Sequence, residues 1–354
     1  MKPVLFSTVR EWLSAEGLTQ LSSGTDFAGC EDFELSGFAP LETAGASDVS
    51  FWVGDNFKSD TNVPGFSDSV LGQVQAGLLF VPASLVADPE SLTMLKARLP
   101  KVRALMPVEN PHHAIVEFLK RFACDGADGV KDADGMNGAA HAVPDSARIH
   151  PTAVVEGIIG KGCRIGPHCV VMAGAELGAN CVLESSVTVY PHVKIGEGCI
   201  FQAGAVIGSR GFGFYEYKGE RRMIPHLAGV RIGDRCSFGA NTVVAAGFLA
   251  PTSIGNDSHF DSMVEIAHNC KVGNHVFMAS QSALAGSVTV GDGSEFAGAA
   301  KVADHITIGK NVRVAAKAGV TRNVPDGKTV SGFPALEIDL WRRCMVRLKQ
   351  LGKK

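Results

Sequence analysis

The chain has 354 residues, 7% aromatic and 19% charged, with 41 glycines and a formal net charge of −3. That balance excludes the global basic footprint of a nucleic-acid binder, and no run approaches the roughly 18 apolar residues that cross a membrane. The N-terminus meets Glu11 and Trp12 too early for a secretory leader and lacks its small-residue cleavage site, so a cytoplasmic protein is expected.

Residues 1–125 read as a small α/β domain with a core of its own. The spacing predicts a buried strand over 77–82, a helix over 89–99 and a second strand over 102–108. Asn110 and Pro111 then open a helix that runs to 122, because Asn is a good N-cap and Pro suits the first helical position. Residues 126–144 are rich in Gly, Ala and Asp and read as a linker.

From 145 to 333 an apolar residue recurs every six positions. The register runs Ile159, Ile165, Val171 and on to Ile207, resumes at Ile232, Phe238 and Val244, and continues from Ile254 to Val320. A small residue often follows, as in Ile165-Gly166 and Ile308-Gly309, and is expected to give the backbone room to turn a corner. Such a repeat is the mark of a parallel β-helix, one short face of a coil per repeat. With three faces per coil, the 24 register positions predict eight coils. At a strand spacing of about 4.8 Å the prism is roughly 40 Å tall. A loop at 209–229, carrying Phe212, Phe214, Tyr215 and Tyr217, interrupts it. Flat outer faces and the closed symmetry usual in homo-oligomers predict a homotrimer.

Of nine cysteines, six (163, 169, 181, 199, 236 and 270) fall in the small inward slot four residues after an apolar position, where free Cys acts as a small hydrophobe. Cys30, Cys124 and Cys344 read as ordinary packing residues. There is no C-x-x-C pair, so neither a disulfide nor a metal is expected. Residues 334–354 predict an amphipathic helix with Leu336, Leu340, Met345, Leu348 and Leu351 on its apolar positions. Arg342, Arg343, Arg347, Lys349, Lys353 and Lys354 make this end basic.

Eleven histidines are present, most at outward repeat positions. His268 stands out within Glu265-Ile266-Ala267-His268-Asn269, and His305 follows 37 residues later, two coils of 18 plus one. The two are expected on one edge, about 10 Å apart along the axis. In a trimer they line one intersubunit cleft. Three converging imidazoles, as a zinc site needs, are not in view.

Several segments carry a resemblance: residues 208–214 (Gly-Ser-Arg-Gly-Phe-Gly-Phe), residues 224–234 opening on Ile-Pro-His, the Ile266-Ala267-His268-Asn269 block, and residues 331–335 followed by Trp341-Arg342-Arg343. With the hexapeptide prism and the order of parts, the chain resembles the UDP-3-O-acylglucosamine N-acyltransferases of lipid A biosynthesis. The resemblance implies a mainly β fold: an N-terminal uridine-binding α/β domain, a left-handed parallel β-helix and a C-terminal helix. It implies transfer of a 3-hydroxyacyl chain from acyl carrier protein to the 2-amine of a UDP-3-O-acylglucosamine. His268 matches the family's general base and His305 its second active-site histidine. Phe51 and Phe57 match the aromatic pair that stacks on uracil; core packing is the other reading of both. Asn269, Phe212 and Phe214 are further active-site candidates. Arg342, Arg343 and Arg347 are the expected contacts to acyl carrier protein, which brings its own 4′-phosphopantetheine, so no cofactor is expected. The chain departs from the family pattern at Gly54 (Asn in the family), Arg210 (Asp), His226 (Gln), Glu265 (Gln) and Ala245-Ala246 (Asp-Arg). An acyltransferase acting on a different nucleotide amino sugar, and a non-catalytic nucleotide-sugar-binding β-helix, stay open as alternatives.

A neutral imidazole suits removal of a proton from an attacking amine. The oxyanion then takes backbone N–H groups or the second imidazole as donors. Inward cysteines lack the exposed, electropositive setting of a nucleophilic thiolate.

Overall fold

The computed structural model describes residues 1–19, 32–52, 72–86, 89–123, 144–332 and 336–352. From Arg148 onward short parallel strands, most of two residues, pair with strands one coil away and form sheets of ten, nine and eight strands. In one sheet Ile165 pairs with Leu183, Leu183 with Phe201 and Phe201 with Phe238. Successive hexapeptides therefore occupy successive faces, and the fold is a left-handed parallel β-helix. The expected inward register is buried throughout, from Ile159 to Val320. The structure extends it beyond the predicted eight coils. Ile149 and Val155 pair before the first counted position and Val330 after the last.

The column of apolar residues makes one continuous core. Phe201 stacks on Phe238 at 4.9 Å between ring centroids, and Phe238 on Phe260 at 5.0 Å. The six inward cysteines are buried and free, as read from the repeat. Each sits where a small side chain can also donate to a carbonyl of the next coil. The Cys163 thiol donates to Gly178 (3.2 Å), Cys181 to Gly196 (3.2 Å) and Cys236 to Gly255 (3.1 Å); Ser258 and Ser294 do the same to Gly273 and Gly309.

The reason for the small residue after each apolar position differs from the expected one. A Cβ on Gly166 would lie 2.5 Å from the Glu184 carbonyl oxygen, and one on Gly178 would lie 2.6 Å from Gly196 backbone. These glycines let coils stack; they do not turn the corner. The corner is turned two residues later, where one residue per hexapeptide is left-handed: His168 (φ 58°), Asn180 (59°), Asn269 (61°), His275 (54°), His305 (57°). Polar residues such as Asn and His tolerate this region better than branched ones.

The N-terminal region holds a parallel sheet in the order Gly37–Phe38, Asp48–Phe51, Gln75–Pro82, Lys101–Val108. Helices Phe6–Ala15, Pro89–Arg98 and Pro111–Phe122 cover it. The Asn110 side chain accepts from the His113 N–H at 3.1 Å, as an N-cap should. Residues 76–81 are all buried, the pattern of a strand covered on both faces. The loop at 209–229 contains an antiparallel hairpin, Phe214–Tyr217 with Glu220–Met223. It docks on helix Pro111–Phe122: the Tyr215 hydroxyl and His113 Nδ1 are 2.9 Å apart, the rings of His113 and Tyr217 stack at 3.8 Å, and the Tyr217 hydroxyl donates to Glu109.

The N-terminal core shares no residue with that of the prism, but a side chain from beyond residue 125 completes it. Leu249 from the second interruption of the prism is buried among Phe6, Val9, Leu13, Leu35, Leu78 and Phe118, with Leu227 and Phe248 packed alongside. An apolar side chain on an irregular loop has no place in the filled prism, and the nearest unfilled apolar surface is the N-terminal sheet. Helix Ile338–Leu351 begins at Glu337, whose carboxylate accepts from the Asp339 and Leu340 N–H groups, and every residue of it is exposed. Among the described residues no helix is long and apolar enough to cross a membrane.

Candidate active site

His268 lies at a corner of the prism, half-buried, at the start of its turn. Its Nδ1 is 3.1 Å from Asn269 Oδ1. The amide orientation of Asn269 is fixed by the backbone: Oδ1 also accepts from the Phe248 N–H (3.2 Å), and Nδ2 donates to the Ala250 carbonyl (3.1 Å). The Asn269 N–H donates to Thr252 Oγ1 (2.9 Å). Since Oδ1 can only accept, His268 Nδ1 carries a proton, and in the neutral ring the lone pair is on Nε2. A neighbouring acceptor sets the tautomer of many functional histidines in this way.

Two glycines leave room around that ring. A Cβ on Gly286 would lie 2.7 Å from His268 Cε1 and 2.8 Å from Nε2, so the absent side chain lets the imidazole itself pack against the next coil. A Cβ on Gly211 would lie 2.6 Å from His268 Cβ and 2.9 Å from His226 Nε2. The glycines of residues 208–214 therefore bring the first interrupting loop over the histidine.

His226, noted in the sequence only as a departure, packs its ring 4.7 Å from that of His268. It is buried, and its Nδ1 is enclosed with no hydrogen-bond partner among the described residues. Burial first, then the charges of His268 and Arg210, push its pKa down to about 4 despite the nearby Ile224 carbonyl. At neutral pH it is an uncharged ring. The Phe248 ring meets it edge-on with centroids 6.3 Å apart, and Phe51 lies 6.2 Å from Phe248 and 4.6 Å from His112. Burial lowers the pKa of His112 too. A line of rings thus joins Phe51, at the end of a strand in the N-terminal sheet, to His268. The sequence held no signal for this contact beyond the residue types.

His305 is exposed. Its N–H donates to the Gly286 carbonyl (3.0 Å), as the Ser287 N–H does to the His268 carbonyl (2.9 Å), so it sits two coils along the corner that holds His268. Phe212 and Phe214 are exposed, with ring centroids 5.0 Å apart, and flank Gly213, whose absent Cβ faces the His226 ring. Phe57 and Gly54 lie outside the described residues. Arg342, Arg343 and Arg347 are exposed on the C-terminal helix, far along the chain from the histidine corner, with Arg342 paired to Asp339 at 3.4 Å.

Two other features bear on the chemistry. Cys270, two residues after His268, points inward and donates to the Ala285 carbonyl (3.2 Å), and burial pushes its thiol up to about 12. It is no thiolate nucleophile. A broad groove of about 780 Å³ lies on a flat face of the prism, lined by Ile200, Ser237, His259, Phe277, Glu295 and Arg313 among others, and not at the histidine corner. No cluster of three or more potential metal ligands occurs among the described residues.

Comparison with known proteins agrees with the repeat. A family described as "Bacterial transferase hexapeptide (six repeats)" matches residues 156–189 and 174–209, and "Hexapeptide repeat of succinyl-transferase" matches 229–261. The UDP-3-O-acylglucosamine N-acyltransferase of Pseudomonas syringae pv. tomato is 34% identical over 187 residues, 42% of this chain and 53% of that protein. Its namesake in Polynucleobacter asymbioticus is 31% identical over 249 residues, 66% of this chain and 65% of the relative. The chain thus spans about half the length of the Pseudomonas relative it matches. Among solved structures, the UDP-N-acetylglucosamine acyltransferase of Francisella novicida aligns with a TM-score of 0.45 at 24% identity, over 56% of this chain and 72% of that one.

Proposed function

We propose that this chain, a hexapeptide-repeat relative of the UDP-3-O-acylglucosamine N-acyltransferases, moves a 3-hydroxyacyl group from acyl carrier protein to the 2-amine of a UDP-3-O-acylglucosamine. The observation that carries the reading is the Asn269-held tautomer of His268, which leaves the lone pair of the neutral ring on Nε2. The amine nitrogen attacks the thioester carbonyl and gives its proton to His268 Nε2. The C–N bond forms, the tetrahedral oxyanion collapses, and the C–S bond breaks. The imidazolium returns the proton to the departing thiolate of the carrier's phosphopantetheine arm, so no resident cofactor is needed. Backbone N–H groups at the corner, or His305, hold the oxyanion.

Phe51, with Phe57, forms the uridine shelf in this reading. Asn269 orients the base, while Phe212 and Phe214 form the rim. Exposed Ile200 and Phe277 belong to the flat face that neighbouring copies cover in a homotrimer. Arg342, Arg343 and Arg347 meet the acidic carrier protein, and the enzyme works in the cytoplasm.

The test incubates the protein with UDP-3-O-acylglucosamine and 3-hydroxyacyl carrier proteins of several chain lengths and measures product mass. A single added acyl chain on the amine is expected. His268→Ala should lower the rate by about 10²–10⁴ without loss of uridine-nucleotide binding. Turnover of His268→Ala at the native rate removes the base; no product with any donor removes the reaction.

A further inference from the structure

The two hydrogen bonds that orient Asn269 come from Phe248 and Ala250, the residues on either side of Leu249. Leu249 is itself 7% exposed and lies in the core of the N-terminal domain, not in the core of the prism. The backbone of this loop is thus held by a side chain buried in another domain, with Phe248 packed against the same core, and at that point it grips the amide that sets the His268 tautomer. Four backbone bonds tie this stretch to the first interruption: Ala228 N–H to the Gly247 carbonyl and Gly247 N–H to the Gly229 carbonyl, both 3.0 Å, Ala246 N–H to the Ser209 carbonyl (2.7 Å) and Thr252 N–H to the Gly229 carbonyl (3.2 Å). None of the four is made by Phe248 or Ala250, the donor and acceptor that Asn269 uses.

We infer that Leu249 is a positioning residue: a plug in the N-terminal core that fixes the Phe248–Ala250 backbone and, through Asn269, keeps His268 in its Nδ1–H form with Nε2 free. This inference rests on His268 being the base of the proposed reaction. It makes the N-terminal domain part of the base's support as well as a nucleotide shelf. A base held in the wrong tautomer presents a hydrogen where a lone pair is needed, and small displacements of a reacting group cost about a hundredfold in rate.

The experiment compares Leu249→Ala with Leu119→Ala, which removes the same side chain from another position in the same core, and with Leu249→Met, which refills the socket. Three quantities are read on the full chain: kcat for acyl transfer, calorimetric Kd for UDP, and ring-nitrogen chemical shifts of His268, assigned by difference with His268→Gln. Leu249→Ala should lower kcat about ten- to hundredfold, keep the UDP Kd within about twofold of the Leu119→Ala value, and show His268 as mixed tautomers. Leu249→Met should restore kcat and the single tautomer, and Leu119→Ala should keep both. A native kcat and single tautomer in Leu249→Ala, or an equal fall in Leu119→Ala, overturns the inference. Native turnover by His268→Ala instead overturns the proposed reaction, and the chemical shifts then still decide whether Leu249 holds the ring.

Discussion

Replacing His226 with Gln should make the protein less sensitive to acid, by an amount that the structure sets. In the folded chain His226 titrates near 4, because burial and the neighbouring His268 and Arg210 charges oppose a proton; unfolded, it titrates near its ordinary 6.5. Above pH 6.5 both states hold a neutral ring and the group contributes nothing to pH dependence. As the pH falls below 6.5 the unfolded chain takes up a proton that the folded chain refuses, so stability is lost from there down towards 4. Linkage gives a loss of about 2 kcal/mol at pH 5 and about 3 kcal/mol at pH 4 from this one residue. Gln cannot titrate. Equilibrium urea unfolding of both proteins at one fixed concentration, at pH 7.5 and pH 5, gives the double difference: the wild type should lose about 2 kcal/mol more than His226→Gln. His112 and His113, lowered chiefly by burial, add acid sensitivity in the same window to both proteins and cancel. Equal losses in the two proteins would mean that the ring takes a proton without penalty in the folded state, and that the site around His268 is wetter than the packing requires.

Gly286→Ala should lower kcat about a hundredfold with the melting temperature nearly unchanged, since the new methyl falls within 2.8 Å of His268 Nε2 and displaces the ring while the backbone there is not left-handed; native kinetics would show that the rate does not depend on how the ring sits against Gly286. Phe51→Ala should weaken UDP-sugar binding by about 1–3 kcal/mol, the usual worth of a base stacked on a ring. Unchanged affinity in calorimetry, with a lowered melt of the N-terminal domain, would show instead that its contact with His112 is packing alone.

The prism was legible because its code is local and repeated. Ile159 to Val320 mark the inward column, the six cysteines mark the slot beside it, and each copy corroborates the next. The left-handed corner was not legible, because His168, Asn180, Ser186, Arg235 and Lys317 all occupy it and share no apolar signature. In the N-terminal domain the capped helix at Pro111 and the strand ending at Val108 followed from capping and apolar runs. Helix Phe6–Ala15 was missed, although Phe6, Val9 and Leu13 face the core at helical spacing. His268 and Asn269 stood out as neighbours in a motif, but the direction of the amide depends on Phe248 and Ala250, about twenty positions upstream, and no periodicity reports it.

These losses have one physical origin. A regular coil offers the same environment at every corner, and the corner of His268 passes to Gly286 and Asp304 in the next two coils with the same backbone hydrogen bonds. Nothing in the repeat itself distinguishes an imidazole at one corner from a side chain at another. What singles out position 268 arrives through the two interruptions: Gly211 and His226 from the first, and Phe248, Ala250 and Thr252 from the second and the strand that follows it. Both interruptions are also where the prism meets the N-terminal domain, through Tyr215 on His113 and Leu249 in the sheet core. The two breaks fall in neighbouring coils, on the side that holds the oriented histidine, and under the proposed reaction that is where the two domains build a single site.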